Sequence, residues 1–332
     1  VLLTLIRDIK YGLVPNGYSG FDLRPLYNSS DASLLLFEAV YKYLKYTNDT
    51  SFIKGSYIRL KSIIKSYAEG IDIDNNNIYL DDDYLMVAGT PKTQNTWMDA
   101  KIGDYVVTPR NGKQVEINAM WYNALMIMVE LGKKFEDDEE LISIYEKLAK
   151  NAKASFNEKF FNSETKCLYD VLGDDKIRPN QLYALALSYP VIDASSDIAK
   201  QVFYTCTKKL LNNYGLKTLA KGYVHYTEVY EGDQYRRDIS YHQGITWPWL
   251  LGVYNDAYKN LIASEEDKDQ KKSMEEEYKI FTKKIRKTFV NELNDGKTIG
   301  SIPELYDSKS PYEPKGALAQ CWSVSEVFRI IL

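Results

Sequence analysis

Apolar residues along the chain recur at steps of three and four almost throughout, the spacing of helices rather than of strands. Two kinds of helical segment alternate. The first is apolar nearly all round, which predicts burial on every side. It covers 31–46 (Leu34, Leu35, Leu36, Phe37, Val40), 114–131 (Val115, Ile117, Met120, Trp121, Leu125, Ile127, Met128, Val129), 178–189, 243–258 and 316–331. The second carries one apolar stripe and predicts a wet opposite face. It covers 51–67 (Ile53, Tyr57, Leu60, Ile64, Tyr67), 138–156 (Leu141, Ile144, Leu148, Ala152, Phe156), 196–212, and 268–291 (Met274, Tyr278, Phe281, Ile285, Phe289). Residues 2–9 read as the end of one more striped helix. The order buried, striped, buried, striped predicts an all-α fold in two layers, an inner ring of helices inside an outer one. Five inner helices are visible, so a closed (α/α)6 toroid needs one further inner helix, upstream of Val1. A superhelical array of helix pairs fits less well, because no period of about 34 or 40 residues recurs.

The links have unequal lengths. Those from buried to striped helices are short (47–50, 132–137, 190–194, 260–267), and those from striped to buried helices are long (11–30, 68–113, 157–177, 213–242, 292–315). Long loops in a compact domain usually carry function. All of these lead into the N-terminal ends of inner helices, which predicts that they gather on one face, the mouth of a functional site.

Composition narrows the partners. The chain has 332 residues, 45% hydrophobic and 27% charged, with a net charge of −4. That is a soluble globular composition, and it favours neither nucleic acid nor an anionic membrane. No apolar run reaches the roughly 18 residues of a membrane span. Three cysteines without metal-ligand spacing predict buried free thiols in a reducing compartment, hence the cytoplasm. Two histidines disfavour a histidine-rich metal site. Asp81-Asp82-Asp83 lacks the alternating ligand spacing of a calcium loop, so neither metal nor cofactor is expected. Val1 opens inside an apolar segment without a signal-peptide pattern, which predicts a single domain over 1–332, N-terminally incomplete within a larger parent chain.

Candidate chemistry lies on the long loops. All five tryptophans (Trp97, Trp121, Trp247, Trp249, Trp322) fall on those loops or on inner helices. Trp249 and Trp322 read as core, while others suit a stacking wall for the flat face of a pyranose. Twenty-eight tyrosines add apolar area with a hydroxyl handle, so carbohydrate is the favoured substrate class. Among the carboxylates Asp31, Asp99, Glu116, Glu304 and Asp307, Asp31 fits an N-cap as well as a site role. Glu116 suits a helix first turn without any function. Asp99 follows Trp97 and Met98, and Glu304 lies among Ile302, Pro303 and Leu305. Neither is at a cap position, and two carboxylates from distant loops on one mouth suit glycoside hydrolysis. A structural role is the commoner one for a lone histidine, but His242 stands in a run of Tyr, Gln, Thr and Trp that reads as a polar pocket wall.

Several segments together resemble the C-terminal catalytic domain of glycogen debranching enzymes. They are 95–103 (NTWMDAKIG), 108–123 (TPRNGKQVEINAMWYN), 178–181 (RPNQ), 241–249 (YHQGITWPW), 301–307 (SIPELYD) and 320–326 (QCWSVSE), with 12–16 (GLVPN) and 31–33. The agreement runs in order along essentially the whole chain. The resemblance implies a six-pair α/α toroid, as in glucoamylase-like hydrolases, and amylo-α-1,6-glucosidase activity on glycogen-type limit dextrins. It implies Asp99 as general acid and Glu304 as general base of an inverting reaction, with Trp97 as an apolar wall keeping Asp99 protonated. Asp31, Trp97, Arg110, Lys113, Arg178, Asn180, His242, Gln243 and Trp247 become candidates for binding the terminal glucose, with Asp31, Lys113, His242 and Gln243 foremost. The partner implied is a branched α-glucan, together with the remaining N-terminal part of the parent chain. The family's Trp-Gly-Arg-Asp-Thr-type segment is absent from this sequence. A related toroid glycosidase on another α-glucoside, or a non-catalytic glucan-binding module, are the alternatives.

Overall fold

A computed structural model describes residues 1–332 apart from Asp74 and Ile299. The chain folds as two compact units, Val1–Phe160 with Leu187–Val191, and Phe161–Ala186 with Ile192–Leu332. Each is helix-rich with small antiparallel sheets.

The first unit holds α1 (Leu2–Arg7), α2 (Ala32–Thr47), α3 (Thr50–Glu69), α4 (Val115–Phe135) and α5 (Glu139–Lys159). The predicted alternation appears as burial. In α4 only Met126, Glu130, Lys133, Lys134 and Phe135 escape full enclosure, whereas α5 buries a single stripe. Helix boundaries follow capping chemistry. Asp49 accepts from the Phe52 amide to start α3, Asp138 accepts from Glu140 to start α5, and Asn48 ends α2 in the left-handed conformation at φ 56°. The α3 stripe is the expected one. That of α5 is displaced: Ile142, Tyr145, Ala149, Ala152 and Phe156 are buried, and Leu141, Ile144 and Leu148 line a groove of about 620 Å³ against Ile58, Ile64 and Ala68 of α3. The helix has apolar residues on two adjacent faces, and the larger contact with α4 selects the second.

Three two-stranded hairpins fill the loops of this unit: β1 (Gly17–Tyr18) with β2 (Pro25–Leu26), β3 (Tyr79–Leu80) with β4 (Met86–Val87), and β5 (Lys101–Ile102) with β6 (Tyr105–Val106). The all-helical expectation is corrected here. The cause is visible at Asn118 of α4, whose side chain accepts from the Met86 amide (2.7 Å) and donates to the Met86 carbonyl (3.0 Å), so that a strand is satisfied by a helix side chain.

The second unit contains β7 (Phe161–Asn162), β8 (Cys167–Leu168), a 3-10 turn (Pro179–Leu182) running into α6 (Tyr183–Ala186), and α7 (Asp197–Leu210). After these come β9 (Leu216–Lys217), α8 (Gln234–Ser240), β10 (Thr246–Trp247), α9 (Leu250–Ser264), α10 (Lys268–Asp295), β11 (Leu305–Tyr306), β12 (Pro314–Lys315) and α11 (Cys321–Ile331). Strands β12, β11, β10 and β9 form one antiparallel sheet in that order.

Three predicted helices are shorter than expected. The segment 178–189 is one 3-10 turn and one α turn, because Pro190 biases its predecessor toward extended backbone and the amides of Ser188 and Tyr189, which belong to the first unit, are captured there by Glu38 (3.3 Å) and Asn123 (2.9 Å). In 243–258, Thr246 and Trp247 are spent on sheet pairing and Pro248 has no N–H to donate, so α9 begins at Leu250. Of 316–331 only α11 is helical, and it buries just Ser323, Val327 and Ile331. Cys167 and Cys206 are buried as expected, but Cys321 is exposed.

Asn118 gives a test of how loop and helix are joined. Asn118→Ala should cost about 1–3 kcal/mol in urea unfolding, because the buried Met86 amide and carbonyl lose both partners. Lys134→Ala, at the less enclosed end of α4, should stay within about 0.5 kcal/mol. Equal effects would count against this link.

Candidate active site

In the first unit the start of α2 is stitched to the long loop before α4. The Ser30 N–H and hydroxyl both donate to the Asn95 carbonyl (2.7 and 2.8 Å), and Tyr67 donates to the Ser30 carbonyl (2.8 Å). Asp31 occupies the cap position of α2 but has helical backbone (φ −93°, ψ −38°) and makes no side-chain cap bond. It is buried, and its carboxyl is pushed up to about 6, first by burial and then by the neighbouring charge of Glu116. The Trp97 amide stands beside it and pulls the other way.

Glu116 is fully buried in the first turn of α4. It is more than a macrodipole residue, because the guanidinium of Arg110 grips both its oxygens, one through Nη2 at 2.5 Å and the other through Nη1. Nη1 also reaches the Thr96 hydroxyl (3.2 Å). Asp31, Thr96, Arg110 and Glu116 are thus buried side by side with the half-buried Trp97, Arg110 gripping Glu116 and Thr96 while the charge of Glu116 and the Trp97 amide act on Asp31.

Asp99 lies two residues on from Trp97 and is exposed, between buried Met98 and buried Ala100. The β5–β6 hairpin follows, turning at Gly103 (φ 56°). Trp97 is half-buried. Asp99 is thus exposed, and the buried acid next to the Trp97 amide is Asp31, at the start of α2. Lys113 holds Asp81 and Asp83, each at 2.7 Å, and Asp83 also holds Lys159 (2.6 Å), which gives Lys113 a structural tie.

In the second unit the buried Arg178 collects the loops. Its guanidinium donates to the carbonyls of Thr218 (3.0 Å) and His242 (2.7 Å) and to the side chain of Gln243 (2.9 Å), and it faces Asp170 at 3.7 Å. Asn180 donates to the same Asp170 (2.8 Å). His242 is fully enclosed, its ring stacked on Trp247 (centroids 5.4 Å, 23°), and Trp247 is itself almost fully buried. Arg178, Asn180, His242, Gln243 and Trp247 therefore lie together in a wall rather than on an open surface. Trp249 and Trp322 stack at 4.8 Å.

Glu304 is half-buried at the start of β11 and its carboxylate accepts three donors. They are the Tyr241 hydroxyl, the Gln320 side-chain amide (3.4 Å) and the Ala317 backbone N–H (3.0 Å). Asp307, three residues on, is buried and accepts from the Tyr230 amide (2.8 Å); burial raises its carboxyl. Sequence reasoning did not assign roles to Tyr241, Gln320, Asp170 or Gly316. Tyr241 and Gln320 stood inside the quoted motifs, whereas Asp170 carried no signal at all. The arrangement offers an anchored carboxylate able to accept a proton in the second unit, and an exposed carboxylate beside an indole in the first. No cluster of metal-ligating side chains occurs among the described residues.

Residues 1–329 match the model of the amylo-alpha-1,6-glucosidase family. The fold is also similar to a solved structure described as rhamnosidase from Klebsiella oxytoca with rhamnose bound, at 12% identity and a TM-score of 0.57. That match covers 96% of this chain and 50% of the other, so the chain spans half the length of that protein, and the likeness concerns fold alone.

Asp31 should make stability depend on pH. A carboxyl with its folded value raised to about 6 favours the protonated form, so its cost is absent below about pH 4 and complete above about pH 6. Urea unfolding of the protein should lose about 3 kcal/mol across that window, while Asp31→Asn lacks this component. Parallel stability–pH curves for the two proteins would refute the assignment.

Proposed function

The chain belongs to the amylo-alpha-1,6-glucosidase family, and from that premise we propose that it releases the α-1,6-linked branch glucose of glycogen-type limit dextrins with inversion at the anomeric carbon. The observation that carries the reading is the family match along nearly the whole chain, and the anchored carboxylate of Glu304 supports it. In this reading Asp99 donates its proton to the leaving O6 as the C1–O6 bond breaks. Glu304 takes a proton from the water that attacks C1 on the opposite face. Inversion needs about 6.5–9.5 Å between the two carboxyls, room for that water. Asp31 and the half-buried Trp97 border the terminal glucose. Arg110, Arg178, Asn180, His242 and Gln243 hold the walls, and Trp247 closes the apolar floor behind His242. Lys113 acts through its tie to Asp81 and Asp83.

The exposure of Asp99 bears on its role. A general acid needs its proton held near the working pH. The bound glucan supplies the enclosure in this reading, covering Asp99 against Trp97 when the branch seats. Among the described residues no helix is long and apolar enough to cross a membrane.

The test uses a singly branched limit dextrin and the full-length protein. Asp99→Asn and Glu304→Gln should each lower kcat by at least about 1,000-fold while the circular dichroism spectrum is unchanged. NMR of the first-formed sugar should show β-glucose. Initial α-glucose, or near-normal turnover by either variant, would overturn the mechanism.

A further inference from the structure

We propose that Tyr241 is a positioning residue for Glu304, completing a three-point clamp that fixes which carboxylate oxygen meets the attacking water. The proposal rests on the reading of Glu304 as general base. The terminal torsion of a glutamate is broad, so an unclamped carboxylate presents its oxygens in many directions. Here each oxygen is assigned. Oε1 accepts the Tyr241 hydroxyl and the Gln320 amide at 3.4 Å, and Oε2 accepts the Ala317 N–H at 3.0 Å. The Glu304 amide returns a bond to the Ala317 carbonyl (2.9 Å), just beyond the β11–β12 pairing, so that backbone and side chain are held by the same residue.

Gly316 makes that approach feasible. It lies at φ 72°, and a Cβ there would fall 2.3 Å from Glu304 Oε2. Only glycine permits both the left-handed backbone and the carboxylate beside it. Gln320 serves two ends: its carbonyl oxygen caps α11 by accepting the Cys321 amide (3.1 Å), and its amide nitrogen faces Glu304. The clamp thus ties the base to the first turn of α11.

The phenol cannot swing away. The Tyr241 ring packs against Tyr230 (5.6 Å), His242 (4.7 Å) and Trp247 (4.9 Å), and its carbonyl accepts the Trp247 indole N–H (3.1 Å). Tyr230 is fastened in turn by its amide to Asp307, on the segment that carries Glu304. The base and the wall that holds its clamp are therefore anchored to one stretch of backbone. A tyrosine suits the task because its hydroxyl stays protonated near neutral pH and can donate to a carboxylate without taking its proton.

Tyr241→Phe keeps the ring and removes only the donor. With singly branched limit dextrin and the full-length protein, kcat should fall about 10–100-fold with KM within about threefold. A purely packing role for Tyr241 predicts no such split between kcat and KM. Glu304→Gln is measured in parallel. If it remains active, the reading of Glu304 as base fails. If it is inactive while Tyr241→Phe keeps wild-type kcat, the clamp alone is overturned. Gly316→Ala is the second variant, should Tyr241→Phe not fold. It displaces Oε2 without touching the phenol, and a comparable kcat loss at preserved KM supports the clamp, whereas wild-type kinetics overturn it.

Discussion

Helix α4 is almost wholly enclosed, and its buried carboxylate and amide side chains are satisfied by other parts of the first unit. Glu116 takes Arg110, Asn118 takes the backbone of Met86, and Asn123 donates to Glu38 (2.9 Å) and accepts from the Tyr189 amide. Gln114, just before the helix, donates to the Ala88 carbonyl (2.9 Å). Three loop segments, 86–88, 96–110 and the stretch at Tyr189, are thereby set by one buried helix. The loop that carries Trp97 and Asp99 is one of them, because Arg110 holds Thr96 while it holds Glu116. Breaking any of these ties leaves a buried donor or acceptor without compensation, which is why such networks specify a single arrangement.

Arg178 imposes the same condition on the second unit. A guanidinium remains charged under any physiological condition, so its burial demands acceptors on every side. It finds them on the 218 loop, at His242 and Gln243, and at Asp170. The stretch from Tyr241 to Gln243 is therefore rigid for an electrostatic reason, and the direction of the Tyr241 phenol follows from it. A motif that reads on paper as a list of sugar contacts is here a frame that aims one hydroxyl at one carboxylate.

Much of this was legible in the residues. The helices α2, α3, α4, α5, α7 and α10 lie within a few positions of the apolar periodicity, because each is long enough for several turns to repeat the pattern. Failures occurred where a local rule competed. Pro248 and Pro190 cut two expected helices, and α5 carries apolar residues on two faces, of which the sequence cannot say which is more enclosed. Two-residue strands are too short to show a period of two, so none was foreseen. In the candidate site, the segments were readable as family motifs but the tasks of their side chains were not. Lys113 is spent on Asp81 and Asp83, His242 is enclosed, and the desolvated acid of the first unit is Asp31 rather than Asp99. Partners such as Glu304 and Tyr241 are 63 positions apart, and nothing in either neighbourhood encodes the other.

Burial also sorts the motif residues by what they can do. A side chain that touches a soluble substrate must keep an accessible face, while a fully enclosed polar group is committed to the partners that paid its desolvation. Arg110, Arg178 and Asn180 belong to the second class in the free chain. Trp97, Asp99 and Glu304 keep accessible area, and each is flanked by buried neighbours that restrict its backbone. Few exposed groups on a densely satisfied frame is the arrangement that preorganisation requires, since the reacting groups stay fixed only as well as the shell behind them. For Glu304 that shell is explicit down to a glycine whose missing Cβ makes the space, so the precision of the carboxylate is a property of Gly316, Ala317, Gln320 and Tyr241 as much as of the glutamate itself.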